Sequence, residues 1–209
     1  MKAVLMSIRP LWCELIANGQ KTIEVRKRRP KLKTPFKCYI YCTNSAPWLV
    51  RGDTFRGDWV TEYCTTYGYS REEAERIWGV MNGKVIGEFV CDRIERFVKV
   101  GFTGSHEAEK YHSIDDDYFL HDIPLSKMQM TYEQLFEYAR LQELFGLHIS
   151  NLEIYEEPKD LSEFYVWKKC NSCRVTGYES TACGYDEDCK VPAMITRPPQ
   201  SWCYVEETT

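Results

Sequence analysis

The segment Gly19-Gln20-Lys21-Thr22-Ile23-Glu24-Val25-Arg26 puts a lysine, a hydroxyl, a carboxylate and a guanidinium on one short stretch. Ile23 and Val25 alternate with Thr22, Glu24 and Arg26, the period of two that a half-buried strand shows. On that reading Thr22, Glu24 and Arg26 share one face, and Lys21 stands at the strand's entrance after Gly19, a residue suited to a tight turn. Two cations beside one carboxylate can take an anionic group. The carboxylate can accept from the edge of a base, and a lysine whose pKa is lowered by burial can act as a general base. The plain alternative is a Glu24–Arg26 pair on a solvated face, worth under about 1 kcal/mol.

Cys170, Cys173, Cys183 and Cys189 form a second constellation, a CxxC followed by two more thiols. Four thiolates complete a tetrahedral shell, so the metal that suits them is zinc in a structural role. The spacing lacks the second CxxC of a zinc ribbon, and the alternative is four free thiols in a surface insertion. The other cysteines (Cys13, Cys38, Cys42, Cys64, Cys91 and Cys203) stand in apolar surroundings and read as core. Ten cysteines in a chain read as cytoplasmic point to reduced thiols and metal before disulfides.

Arg197-Pro198-Pro199-Gln200-Ser201-Trp202 is the third candidate. Trp202 could stack on a base, Gln200 could read its edge and Arg197 could meet a phosphate. The same residues also suit an ordered crossing loop with a core tryptophan. Ser7, Arg9, Trp48 and Ser150 are further candidates for the rim. The four histidines are scattered, no Ser/His/Asp order, phosphate loop or HExxH occurs, and Asp115 to Asp117 reads as a solvated turn.

The elements that must carry these residues follow from periodicity. Lys2 to Met6 reads as a strand. Pro10 opens a helix that Asn18-Gly19 ends. Phe36 to Thr43 and Lys84 to Phe97 are β-rich, the second long enough to be bent or bulged. Residues 101 to 130 read as irregular, 131 to 145 as a helix capped by Thr131, 147 to 155 as a strand, and 201 to 206 as a last strand, which in a small barrel can neighbour the first. The net charge of −4 argues against unspecific nucleic-acid binding, but Arg26, Lys27, Arg28, Arg29, Lys31 and Lys33 make a dense basic block next to the motif. No apolar run is long enough for a membrane span, and the short apolar N-terminus is not a signal peptide, so the expected location is cytoplasmic.

Gly19, Lys21, Glu24 and Arg26 stand at the spacing Gly-x-Lys-x-x-Glu-x-Arg, after a short strand, a helix and a glycine turn. This resembles the signature of the ASCH domain family, relatives of the PUA fold. The resemblance implies an α+β architecture: a PUA-like mixed β-barrel with peripheral helices and a small four-cysteine insertion. It would be one domain over 1–209, with a helical insertion at about 44–81 and a cysteine-rich one at about 166–195. It also implies a module that binds RNA or a nucleotide, modified or not, in a basic cleft. Lys21, Glu24 and Arg26 would line that cleft, with Ser7, Ser150, Arg197, Gln200, Ser201 and Trp202 nearby. Removing Lys21 should then weaken binding and leave stability almost unchanged. Small relatives act as amidohydrolases on an acylated cytidine with a lysine, a threonine and a glutamate. Lys21 matches that lysine, whereas the threonine stands where this chain has Glu24 and this chain's threonine is Thr22. An enzyme would then use Lys21 as base with Glu24 orienting it, and a nucleophilic role for Thr22 departs from the family pattern. A protein-interaction module is the third reading, and fold alone does not choose among them.

Overall fold

The computed structural model describes residues 2–44, 82–100, 110–114, 119–169 and 190–206. The expected helical insertion, apart from Asn44, lies outside them, as do Trp48, Cys64, Asp115 to Asp117 and the four candidate zinc ligands.

The apolar run at the start forms β1 (Lys2–Ile8), which continues through Ser7 and Ile8 because both keep pairing with β3. Pro10 opens α1 (Pro10–Ala17), where its missing N–H has no helical partner to lose. Gly19, at φ 77°, turns the chain toward β2 (Ile23–Arg26). β3 (Phe36–Cys42) and β4 (Val85–Val100) follow their aromatic and β-branched runs, and β4 shows its expected irregularity as register shifts against β7. The stretch read as irregular contains β5 (Lys110–Ile114), β6 (Leu120–His121) and a short helix, α2 (Leu125–Met128).

Helix α3 (Tyr132–Ala139) is shorter than periodicity alone indicates. Thr131 and Gln134 cap its start reciprocally, while Arg140 and Leu141 adopt φ of 47° and 67° and end it. Leu144 and Phe145 therefore belong to β7 (Leu144–Lys159) rather than to the helix. A 3-10 turn over Leu161–Glu163 leads to β8 (Tyr165–Lys169), β9 (Lys190–Met194) and β10 (Trp202–Glu206).

The strands make one mixed sheet in the order β2-β7-β4-β3-β1-β10-β8-β9, with β5 and β6 branching from β4. β1 and β3 run parallel, and β10 lies beside β1, antiparallel to it. The expected α+β mixed sheet is present, but among the described residues the terminal strands β2 and β9 do not pair, so the sheet is not closed into a barrel. It is rolled nonetheless. β2 and β1 are four steps apart on the path, about 19 Å in a flat sheet. Yet an Arg26 nitrogen lies 2.8 Å from the Ser7 carbonyl oxygen. Side chains bridge the gap that a ladder would fill in a closed barrel.

Three apolar clusters result among the described residues. Val4, Met6, Ile8, Cys13, Cys38, Ile40, Ile86, Phe89 and Leu147 pack inside the roll. Ala3, Leu5, Tyr39 and Tyr41 on the other face of β1 and β3 are covered by Phe164 and Ile195. Ile23 and Val25, on the outer face of β2, pack with Phe97, Tyr111, Met128, Leu135 and Leu144. Of the cysteines read as core, Cys13, Cys38, Cys42 and Cys91 are buried and Cys203 is half-buried. Burial pushes the Cys91 thiol up to about 12 and the Cys203 thiol up to about 11. Among the described residues no helix is long and apolar enough to cross a membrane.

Candidate functional site

Because apolar clusters lie on both sides of β2, the strand is buried on both faces, not half-buried as its alternation suggests. Ile23 and Val25 face outward toward α2 and α3, whereas Glu24 pairs opposite Leu147 and so shares its face toward the interior of the roll. The polar residues are thus on the inner face. Lys21, Glu24 and Arg26 are 2%, 5% and 7% exposed.

They form one cluster. Lys21 Nζ lies 3.5 Å from one Glu24 oxygen and Arg26 Nη2 lies 3.0 Å from the other. Lys21 also donates to the carbonyl of Met128 at the end of α2 (2.7 Å), and its ammonium sits 4.8 Å from the Trp12 ring centre. Arg26 donates through Nη2 to the Ser7 carbonyl, and through Nη1 to the Ser201 carbonyl and hydroxyl, both at 3.3 Å. Its Nε is buried with no hydrogen-bond partner among the described residues. Burial draws the Lys21 pKa below its usual value; Glu24 opposes that shift and Arg26 adds to it. The cluster holds two cations and one carboxylate in a desolvated setting.

The structure brings Ser7 and Ser201 to this cluster and leaves other candidates outside it. The Ser7 hydroxyl donates to the Pro199 carbonyl (2.6 Å) and its backbone N–H to the Ser201 carbonyl (2.9 Å). Thr22 precedes β2, is exposed, and pairs through its backbone with Lys127 and Ile149, so it is not buried with Glu24 and Arg26. The Ser150 hydroxyl is spent on the Val90 carbonyl of β4. Arg197 and Gln200 are exposed. Trp202 donates through its indole N–H to the Arg28 carbonyl (3.0 Å) and meets Tyr204 edge-on, which makes it a strut rather than an open stacking platform.

Three contributors escape a reading of the motif alone: Trp12, the Met128 carbonyl and Tyr138. The Lys27 ammonium lies 5.1 Å from the Tyr138 ring centre. Burial raises the Tyr138 pKa; the charges of Arg26 and Arg9 oppose the rise and that of Glu24 adds to it, so the phenol lies within the field of the cluster. Only the helical spacing of Leu135 and Tyr138 on α3 hints at this, and it names no target.

A separate array crosses the outer face. His148 Nε2 is 2.9 Å from Glu95, Arg93 reaches the same ring, and Ser113 donates to Glu95. The His148 hydrogen bond, aided by Ser113, holds the Glu95 carboxyl below its usual range. The carboxylate stands between the serine and the histidine. A nucleophilic serine needs the imidazole in that middle place, so this array ties β4, β5 and β7 together and does not activate Ser113. Among the described residues, no three His, Cys, Asp or Glu side chains gather as metal ligands.

Comparisons with solved structures return ASCH proteins, the family that the Gly19 to Arg26 segment resembles. The chain is similar to ASCH from Zymomonas mobilis, with a TM-score of 0.48 and 14% identity over 98% of this chain and 88% of that one. Two single-substitution variants of that protein are similar at a TM-score of 0.45 and 13% identity, covering 99% or 98% of this chain and 92% or 89% of theirs. No family model and no curated protein matches the chain.

Proposed function

We propose that the chain binds a nucleotide or a short RNA through the Lys21–Glu24–Arg26 cluster. The observation that carries this reading is the charge balance. Two buried cations share a single carboxylate, and a desolvated excess of positive charge is best compensated by an anion such as a phosphate. Glu24 then orients both cations, and Ser7 and Ser201 hold the guanidinium. The test is calorimetric titration of uridine monophosphate and a short RNA into wild type and Lys21→Met, which keeps the volume and removes the charge. A loss of affinity of tenfold or more is expected; equal affinities would sink the reading.

The lowered Lys21 pKa favours a second reading, hydrolysis of an acylated nucleoside with Lys21 as base and Glu24 orienting it. Thr22 has no part in it. A base must be neutral, so kcat/KM should rise with pH and level off at the Lys21 pKa, below the ordinary lysine value of about 10.4. A flat profile, or activity that survives Lys21→Met, would exclude it.

Zinc at Cys170, Cys173, Cys183 and Cys189 is proposed from their spacing, as a structural ion. Protein purified without chelator should carry about one zinc per chain, and release of that ion should expose four alkylatable thiols. Metal-free protein with those thiols already reactive would refute it.

A further inference from the structure

The connection between β2 and β3 displays Lys27, Arg28, Arg29, Lys31 and Lys33. None of the five forms an ion pair among the described residues. On a chain of net charge −4 that is a concentrated, uncompensated positive strip. Its backbone is pinned from below. Trp202 donates to the Arg28 carbonyl (3.0 Å), the Lys31 N–H donates to the Tyr204 hydroxyl (2.7 Å), and Pro30 is buried. Aromatic rings also lie under two of the cations, Tyr138 under Lys27 and Phe145 under Arg29. The strip starts at the residue after Arg26 and spans at most about 20 Å.

We infer that this strip is a second, exposed binding surface that runs out from the buried cluster and engages the phosphodiester backbone of a single-stranded polynucleotide. The ligand class is therefore a polymer, whose one nucleotide meets Lys21, Glu24 and Arg26 while its flanking phosphates lie along residues 27–33. The inference rests on the reading of the cluster given above. Fixing the cations before binding lowers the ordering cost of a multi-phosphate ligand, which a mobile basic tail would not do. The strip carries none of the large apolar side chains exposed elsewhere on the surface, such as Trp167 and Met194, so it lacks the apolar wedge by which a surface segment enters a lipid interface. An extended row of cations fits a linear polyanion.

The test uses the full chain with three ligands: uridine monophosphate, a 12-nucleotide oligo-U, and vesicles containing phosphatidylserine. The variant is Arg28→Gln/Lys31→Gln/Lys33→Gln, whose side chains are exposed, so the fold is kept; an unchanged Tm checks that. The oligo-U affinity should fall at least tenfold at low salt. The slope of log K against log salt should flatten by about 2, since three phosphate contacts contribute about 0.7 each on single strands. Uridine monophosphate affinity should not move. Unchanged oligo-U affinity overturns the inference and leaves the cluster reading standing. An equal loss for the mononucleotide overturns it too, because the strip would then serve a single phosphate. Vesicle binding that depends on the strip, without oligo-U binding, assigns the surface to lipid instead. If Lys21→Met leaves both nucleotide ligands untouched while the triple variant still weakens oligo-U, the cluster reading fails and the strip stands alone.

Discussion

Lys21 is nearly fully buried, donates to the Met128 carbonyl and faces Glu24, so its ammonium is part of the interior as well as of any site. Lys21→Ala should therefore destabilise by roughly 2–4 kcal/mol through an unfilled cavity and a lost partner for Glu24. The small change expected of a surface cleft does not apply to such a residue. Glu24→Gln should cost more, about 3–5 kcal/mol, because it leaves two buried cations without their counter-charge. Denaturant titration of both variants checks the order; a Glu24→Gln variant as stable as wild type would contradict it. The pH dependence has a definite sign. The folded-state Lys21 pKa lies below the unfolded value, so between the two the unfolded chain binds the extra proton. Wild-type stability should thus rise with pH through that window relative to Lys21→Met. Comparing with that variant removes the opposing contribution of Tyr41 and Tyr155, whose raised pKa values weaken the fold in alkali. Alternation in the sequence identifies Glu24 and Arg26 as neighbours, and they are. It does not reveal which face is inner, because Ile23 and Val25 look equally suited to the interior. Nor does it foretell the Met128 carbonyl, 107 residues along the chain from Lys21.

Among the elements, β7 decides where β2 sits, and two glycines on this sheet set the spacing. A Cβ at Gly146 would come within 2.7 Å of the Phe97 ring and 2.9 Å of an Ile23 methyl, and one at Gly87 within 2.3 Å of the Glu153 carbonyl oxygen. The ring and methyl can shift, whereas the Glu153 oxygen belongs to the paired backbone of β7. Gly87→Ala should therefore destabilise more than Gly146→Ala, for which overpacking costs about 1–3 kcal/mol. Gly146→Ala should also disturb the site, since Val25 lies opposite Gly146 between Glu24 and Arg26. Thermal unfolding of both variants with ligand titration of the second tests this; the reverse order of stability would refute the argument. The strands are readable from their β-branched and aromatic runs, and α1 from Pro10 and Gly19. Periodicity carries helix α3 six residues too far, to Phe145 instead of Ala139, because Leu144 fits a helical stripe as well as a strand. What ends the helix is a left-handed turn at Arg140 and Leu141, residue types that carry no such signal.

For the whole molecule, the gap in the rolled sheet is its defining feature. A closed barrel would give the edge strand β2 a ladder partner across the opening. Here Arg26, Trp202 and the Tyr204 hydroxyl span the opening, and the same struts hold the basic strip in place. The family resemblance indicates a barrel, and the strand order is not readable from the sequence, since Arg26 of β2 meets Ser201 beside β10 across 175 residues of chain. Side-chain bridges can be cut without touching the ladders, which separates stability from preorganisation. In Trp202→Phe/Tyr204→Phe two hydrogen bonds to the strip disappear while every charge remains. Each bond is worth about 1 kcal/mol net, so Tm should fall only modestly. Amide exchange across residues 27–33 should accelerate well beyond that of β3 and β4, whose hydrogen bonds are untouched. Oligo-U affinity should weaken several-fold with its salt slope unchanged, because the number of phosphate contacts is the same and only the cost of ordering the strip has grown. Exchange that speeds up equally across the sheet would mean that the struts hold the whole roll and not the strip, and a salt slope that flattened with the affinity would mean that charge placement, not order, had been lost.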